Sequence, residues 1–443
     1  MIARKLHERI PVLTIEKELE EAQEDLNITL SEQQKEAVRM VFANPISIIT
    51  GGPGTGKTTV LKIILYIYQK KCGNEVKLMA PTGRAARRMA ESTGSGDATT
   101  MHMALGLFGD GDYEALIDEL SADFINVDEV SMVDMHLAYE FFYKVKAGAR
   151  VLLVGDVHQL PSVGAGDVFR QLILCGKIPV TVLNLVYRQG KDSNIPINAQ
   201  LINEGKTNLQ WGDDFQMVEC SGADAAAQIV KNIYLKEIQM YGMEQVQILS
   251  PYKVRSAAGV LELNRSLQDE VNPPVSGKRE LHLGGEIFRE GDRILQNKNT
   301  EFASNGDLGT LVQIAEDEDN NPLVQIVFTD GRRVKYEAEQ VEMIEHANAI
   351  TIHKSQGSEC QVVIIPWLKA FYPMLKRNIF YTGITRAKQR VYIVGEWKAV
   401  CQAIHTDDTG TRKTMLAVKI QQYCERYQRQ ENRRIPATIC NRA

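Results

Sequence analysis

The feature that most constrains this chain is a loop, GGPGTGKTT, running from Gly51 to Thr59 between two apolar segments of different period. Before it, ISIIT is short and β-branched, which predicts a buried strand; after it, VLKIILYIY has helical spacing. A Gly-rich turn from a strand into a helix gathers backbone N–H groups around one spot, with the helix dipole behind them, and so makes a site for phosphate. Gly51, Gly52, Gly54 and Gly56 permit the tight wrap, with Pro53 and Thr55 between them. Lys57 supplies a cation for the outer phosphates, and Thr58, followed by Thr59, offers a hydroxyl to Mg²⁺. The pattern G-x-x-x-x-G-K-[ST] in this context predicts ATP with Mg²⁺.

Further apolar runs ending in Gly, Pro or Asp follow the loop: VKLMAP, DFINVDE and ARVLLVGD. Strands buried on both faces and separated by helices make a doubly wound parallel sheet. FINVDEVSM ends such a strand in two carboxylates, which divide the work: Asp128 as a second metal ligand beside Thr58, Glu129 as general base for an attacking water. Gln159, in GDVHQLPSVGAGD beyond another strand, is an uncharged amide able to sense a γ-phosphate; His158 is read as an ordinary loop residue.

The same grammar returns in QVQILSP, QVVIIP and QRVYIVG, which predicts a second α/β sheet. Between these runs, residues 291–344 alternate apolar and polar positions around the turn signals NGDLG and TDGR, the pattern of an antiparallel β insertion. Residues 1–27 form a helical segment covering the first domain, and the basic stretch 411–443 reads as a solvated helix with Tyr423 and Tyr427 interleaved. The chain has 51 basic and 56 acidic residues, a net charge of −5, so nucleic acid must be held by a local groove and not by a global field. Seven scattered cysteines without a CxxC pair fit a reduced compartment, and no apolar run reaches the ~18 residues of a membrane span. These features predict a cytoplasmic protein with no membrane partner.

Nine segments in order, LSEQQKEAV, TGGPGTGKTT, MAPTGRAARRM, ATTMH, VDEVSMVD, VGDVHQLPSVGAGDVF, NLVYRQ, AITIHKSQGSE and FYTGITRAK, resemble superfamily 1 helicases of the RecD type. This is the 5′→3′ branch that includes the exodeoxyribonuclease V alpha subunit. The resemblance implies two RecA-like P-loop domains, residues 28–185 and 186–290 with 345–410. It also implies an SH3-like insertion at 291–344 and a short pin at about 106–121.

The resemblance also implies residue roles. Gln34 would read adenine, Tyr187 would stack on the base, and Arg188 and Arg386 would reach the γ-phosphate as two arginine fingers. Gly357 and Glu359 would lie near the γ-phosphate and ribose. Pro81, Thr82, Arg84, His102, Thr351, His353 and Lys354 would lie along a single-stranded backbone, hydrogen-bonding phosphates without reading sequence. The implied function is an ATP-dependent helicase or translocase on single-stranded and tailed duplex DNA, working as a monomer in repair or recombination. An RNA-remodelling motor and a nucleotide-gated DNA-binding switch are the alternatives. The short, acidic pin GLFGDGDYEALIDEL puts strand-splitting power in question.

Overall fold

A computed structural model describes residues 1–73, 75–94, 96–107, 118–184, 193–300, 302–317, 321–408, 410, 412 and 414–434. Most of the expected pin lies outside them.

The first sheet holds six strands, β1 (Ile46–Gly51), β2 (Val76–Ala80), β3 (Ala98–Thr100), β4 (Phe124–Val127), β5 (Arg150–Gly155) and β6 (Val180–Leu183), in the order β3-β2-β4-β5-β1-β6. Every pairing is parallel. The inner strands β1, β4 and β5 are buried along their whole length, which explains why they read as mostly apolar runs without alternation, with Ser47, Thr50, Asn126 and Arg150 buried among them. The helix Glu32–Ala43 starts at Ser31, where a capping box with Gln34 satisfies two of its free N–H groups. Its stripe of Ala37, Val38, Val41 and Phe42 packs on one face of the sheet, together with the expected covering helix, Glu16–Asp25, through Leu19 and Ala22.

The second sheet contains β7 (Phe215–Glu219) and β8 (Val246–Ser250). The chain then leaves through a hairpin, β9 (Glu280–Leu283) and β10 (Glu286–Arg289). An antiparallel sheet follows, built from β11 (Arg293–Gln296), β12 (Leu308–Glu316), β13 (Pro322–Phe328), β14 (Arg333–Tyr336) and β15 (Ile344–His346), in the order β14-β13-β12-β11-β15. The chain returns as β16 (Ala349–Thr351), β17 (Cys360–Trp367) and β18 (Ala387–Gly395), closing a parallel sheet β16-β8-β17-β18-β7. Two doubly wound domains with a small all-β insertion in the second are thus present. The β9–β10 hairpin precedes the expected start of the insertion at Gly291; its strands of four residues give too little alternation to stand out.

The C-terminal stretch departs from expectation. The helix Leu416–Arg434 does not stand in solvent: it returns to the first domain, where Ala417, Ile420 and Cys424 enter the core beside Leu172 and Cys175. Gln421 Nε2 donates to the Cys175 carbonyl at 3.0 Å, and Tyr427 stacks on His7 with ring centres 5.2 Å apart. Many charges conceal a thin apolar stripe in the sequence. No helix among the described residues is long and apolar enough to cross a membrane.

Candidate functional site

The order of the first sheet decides where a site forms. Strand β1 lies between β5 and β6, and β4 lies beside β5, so the loops leaving β1, β4 and β5 open at one edge. The loop after β1 is the phosphate turn. Gly54 and Gly56 adopt φ of 74° and 84°, and a Cβ at Gly51 would lie 2.7 Å from the Leu183 carbonyl oxygen, so these positions need glycine. Gly56 caps the helix Lys57–Cys72, whose first turn carries Thr58 and Thr59. Lys57 Nζ lies over the loop, donating to the Gly51 and Gly52 carbonyls at 2.7 and 2.9 Å, and Thr55 Oγ1 braces Gly52 O at 2.9 Å. Pro53 is half-buried at the turn.

Asp128 and Glu129 leave the end of β4. The Glu129 N–H donates to Asp128 Oδ1 at 2.8 Å, and Glu129 adopts φ 52°, ψ 41°, left-handed backbone that costs a non-glycine residue about 1–2 kcal/mol. Strain of this kind is retained where the surroundings fix a side chain for use. Burial and the adjacent Glu129 push the Asp128 carboxyl up to about 6, against the pull of the Glu129 N–H, Lys57 and Arg88. A divalent cation at this carboxylate would reverse the shift. Among the described residues no group of three or more His, Cys, Asp or Glu side chains could cage a metal. The donors at hand, a Thr58 hydroxyl and one carboxylate, fit the hard, water-retaining Mg²⁺ held jointly with phosphate oxygens.

The cleft between the domains closes on Asp156, which sequence reasoning passed over. This carboxylate, 1% exposed, follows β5 and accepts from Tyr381 Oη at 2.9 Å, Gln159 Nε2 at 3.3 Å and the His158 N–H at 3.0 Å. Tyr381 belongs to the helix Arg377–Ile384 of the second domain, and its hydroxyl oxygen lies 3.1 Å from where a Gly52 Cβ would stand. Burial and then Asp156 hold the phenol well above its ordinary range. Two further bonds cross at the next residues: the Leu160 N–H donates to Thr382 Oγ1 at 3.0 Å, and Gln356 Nε2 donates to the Leu160 carbonyl at 3.0 Å. The signal for Asp156 was present, an acidic residue ending a buried strand beside the phosphate loop. Tyr381 and Thr382 lie in FYTGITRAK, one of the nine segments, where only Arg386 had been given a role. Tyr381→Phe removes a buried bond to a carboxylate and is expected to cost roughly 1.5–3 kcal/mol, read as a lowered urea midpoint; an unchanged midpoint would show that the bond carries no domain closure.

Arg386 precedes β18 and is 3% exposed. Its Nη1 donates to the Ser358 carbonyl at 3.3 Å, and its Nε is buried without a partner among the described residues. A buried guanidinium so lightly satisfied suits an anionic oxygen supplied by a ligand. Tyr187 and Arg188 lie outside the described residues. Gln34 lies beside the phosphate loop: its Oε1 accepts from Ser31 N at 3.1 Å in the helix cap, and its Nε2 donates to the Thr55 carbonyl at 3.3 Å. Glu359 pairs across the cleft with Arg88 at 2.6 Å and, within its own domain, with Lys388 at 3.6 Å. Burial works against the Arg88 charge, yet Glu359, Glu129 and Asp128 together hold its guanidinium above the ordinary value, so Arg88 joins the site's electrostatics unannounced by the sequence.

The loops expected along a nucleic-acid strand are brought together in part. Thr82 caps the helix Gly83–Thr93 with half-buried Pro81 before it, and a Cβ at Gly357 would lie 3.3 Å from Thr82 Oγ1, so a loop of each domain meets there. Arg84 faces the insertion near Gly306; its Nη1 is buried without a partner among the described residues, and burial, with Arg293 and Arg87 nearby, pushes it down to about 10. Arg87 bonds Asp307 and lies 3.0 Å from Asp330, tying the first domain to the insertion. Thr351 Oγ1 accepts from the Lys354 N–H, and Lys354 Nζ is committed to Asn297 and, at 3.1 Å, to Glu345. His353 is half-buried, its imidazole pushed below the usual value by burial and by Lys376. His102 is exposed on the short helix Met101–Ala104, apart from these contacts.

Family models match three stretches: an AAA domain at 29–223, an ATP-dependent RecD-like DNA helicase SH3 domain at 263–328, and a UvrD-like helicase C-terminal domain at 346–394. An ATP-dependent RecD2 DNA helicase of Deinococcus radiodurans is 35% identical over 370 residues, 84% of this chain and 50% of that protein. The RecBCD enzyme subunit RecD of Haemophilus influenzae is 27% identical over 86% of this chain and 72% of its own length. The chain thus spans half the length of the first of these relatives. Among solved structures, Pif1 helicase from Candida albicans superposes with a TM-score of 0.52 at 18% identity, covering 92% of this chain and all of that one, a likeness of fold. With the three models in this order, and the RecD-like SH3 model on the insertion, the chain is similar to RecD-like DNA helicases over most of its length.

Proposed function

We propose that the chain is an ATP-driven motor that moves 5′→3′ on single-stranded DNA and opens tailed duplexes, acting as a monomer in the cytoplasm. The observation that carries this reading is the interdomain cleft itself. The phosphate loop, Asp128 and Glu129 stand on one wall, while Tyr381 and the partner-poor Arg386 come from the other. On this reading residues 28–185 and 186–290 with 345–410 are the motor domains, 291–344 the insertion, and 1–27 and 411–443 its flanking segments.

Thr58 and Asp128 would hold Mg²⁺, whose contribution is to neutralise charge on the transferred phosphoryl group. Lys57 holds the outer phosphates, Glu129 takes the proton of the attacking water, and Gln159 and Arg386, with Arg188, answer the γ-phosphate. Bonds such as Tyr381–Asp156 and Thr382–Leu160 make the loop of Gln159 a shared part of both domains, so a change at the phosphate alters how the domains sit on the strand. Pro81, Thr82 and Arg84 on the first domain and Thr351, His353 and Lys354 on the second would alternate their grip, with His102 as an outlying contact.

Steady-state ATP hydrolysis with and without single-stranded DNA tests the reading, with single-stranded RNA and duplex DNA in parallel. Stimulation by single-stranded DNA well above the other two is expected. Turnover indifferent to every nucleic acid would overturn the motor in favour of a switch, and equal stimulation by RNA would overturn the DNA assignment.

A further inference from the structure

Between the domains, next to the bonds at Asp156 and Leu160, lies a cavity of about 260 Å³. It far exceeds the roughly 30 Å³ share of one water. Its polar lining includes Ser131 and Gln159 from the first domain and Asn378 from the second, respectively 7%, 7% and 8% exposed. Each carries a buried polar atom without a partner among the described residues: Ser131 Oγ, Gln159 Oε1 and Asn378 Oδ1. Native interiors seldom leave such groups unmatched, and three on one cavity point to an occupant. Phe169 and Ile379 supply flat and aliphatic wall, and the charged lining is mixed: Arg170, Arg412 and Lys376 with Asp167 and Asp408, Lys376 lying 2.7 Å from Asp408. His353, one of the residues the family resemblance lays along the strand, lines it as well.

We infer that this cavity receives a nucleobase of the bound single strand, with a preference for bases bearing an exocyclic amine. The inference rests on the reading of the chain as a single-strand motor. Its chemistry follows from the three unmatched oxygens. Gln159 Nε2 donates to Asp156, which leaves Oε1 as an acceptor beside Asn378 Oδ1 and Ser131 Oγ, and together they favour the exocyclic amine of cytosine, adenine or guanine over thymine, which has a carbonyl oxygen where cytosine has its amine and only its ring N3–H to give. A slot with an aromatic and an aliphatic wall and acceptors at its end suits a planar base, with Arg170 and Arg412 at hand for its phosphate. The same Gln159 bonds the carboxylate that Tyr381 holds beside the phosphate loop, so a base in the cavity would be one hydrogen bond from the nucleotide site.

The test uses the full chain and three strands of equal length, oligo-dC, oligo-dT and an abasic sugar–phosphate strand, competing against a labelled oligonucleotide. Both pyrimidine strands stack weakly, so strand stiffness does not bias the comparison. Wild type is expected to bind oligo-dC about tenfold more tightly than oligo-dT, the worth of a satisfied buried hydrogen bond. Asn378→Leu and Ser131→Ala together, which remove two of the three unmatched oxygens and leave Gln159 in place, are expected to narrow that gap severalfold while affinity for the abasic strand is kept. Ser131→Ala alone, which removes a hydroxyl without a partner among the described residues, should narrow it less than the pair does. Equal binding of dC and dT by wild type, or a gap undiminished in the double variant, would overturn the pocket. Failure to bind any strand, the abasic one included, would instead sink the motor reading, and the two failures are told apart in the same titration.

Discussion

Glu129→Gln is expected to lower turnover of ATP by about 10²–10⁴-fold while nucleotide affinity stays within a few-fold of wild type. The substitution keeps side-chain volume and removes only the ability to accept a proton. The Glu129 N–H still donates to Asp128 Oδ1, so the left-handed turn that positions the side chain is kept. A loss of turnover can then be assigned to chemistry and not to a collapsed site. The measurement is kcat beside a fluorescent-nucleotide titration, and turnover unchanged in the variant would remove Glu129 from the role we propose for it.

Arg386→Ala is expected to cost about 10³–10⁵-fold in kcat, the range for an arginine that meets transition-state charge, with little change in KM. The structural argument against a merely architectural role is the thinness of its bonding: one bond of 3.3 Å to the Ser358 carbonyl and a buried Nε with no partner among the described residues. Removing it leaves no carboxylate stranded, so the urea midpoint should stay near wild type while kcat collapses. Arg386→Lys should not rescue, because a point charge cannot repeat the planar fork. A large fall in stability with turnover per folded molecule unchanged would count against the proposed finger.

Much of this architecture was legible before any coordinates. Strands β1, β4 and β5 are buried along their length, so their sequences are short, mostly apolar runs without alternation. The phosphate loop requires glycine at positive φ and announces itself. The insertion was readable because a sheet with one wet face alternates. What stayed hidden depends on partners distant in sequence. Asp156 and Tyr381 are 225 residues apart, and neither tells of the other until the domains meet. Gln34 shows how much a local pattern can add: its capping box at Ser31 was readable from LSEQQ, whereas its bond to the Thr55 carbonyl of the phosphate loop was not. The C-terminal helix was misread because its apolar stripe is narrow and its charges are many.

That helix also bears on how the chain folds. Ala417, Ile420 and Cys424 complete the core that Leu172 and Cys175 belong to, with contacts such as Gln421 to Cys175 closing over 246 residues. The second domain is therefore a long excursion within the first. Loop-closure entropy grows only logarithmically with the length of such an excursion, so equilibrium stability suffers little, but contacts this distant are made late. During synthesis the first domain emerges ahead of its neighbour with the face around Leu172 uncovered, and waits for the second domain to be made before its last helix arrives.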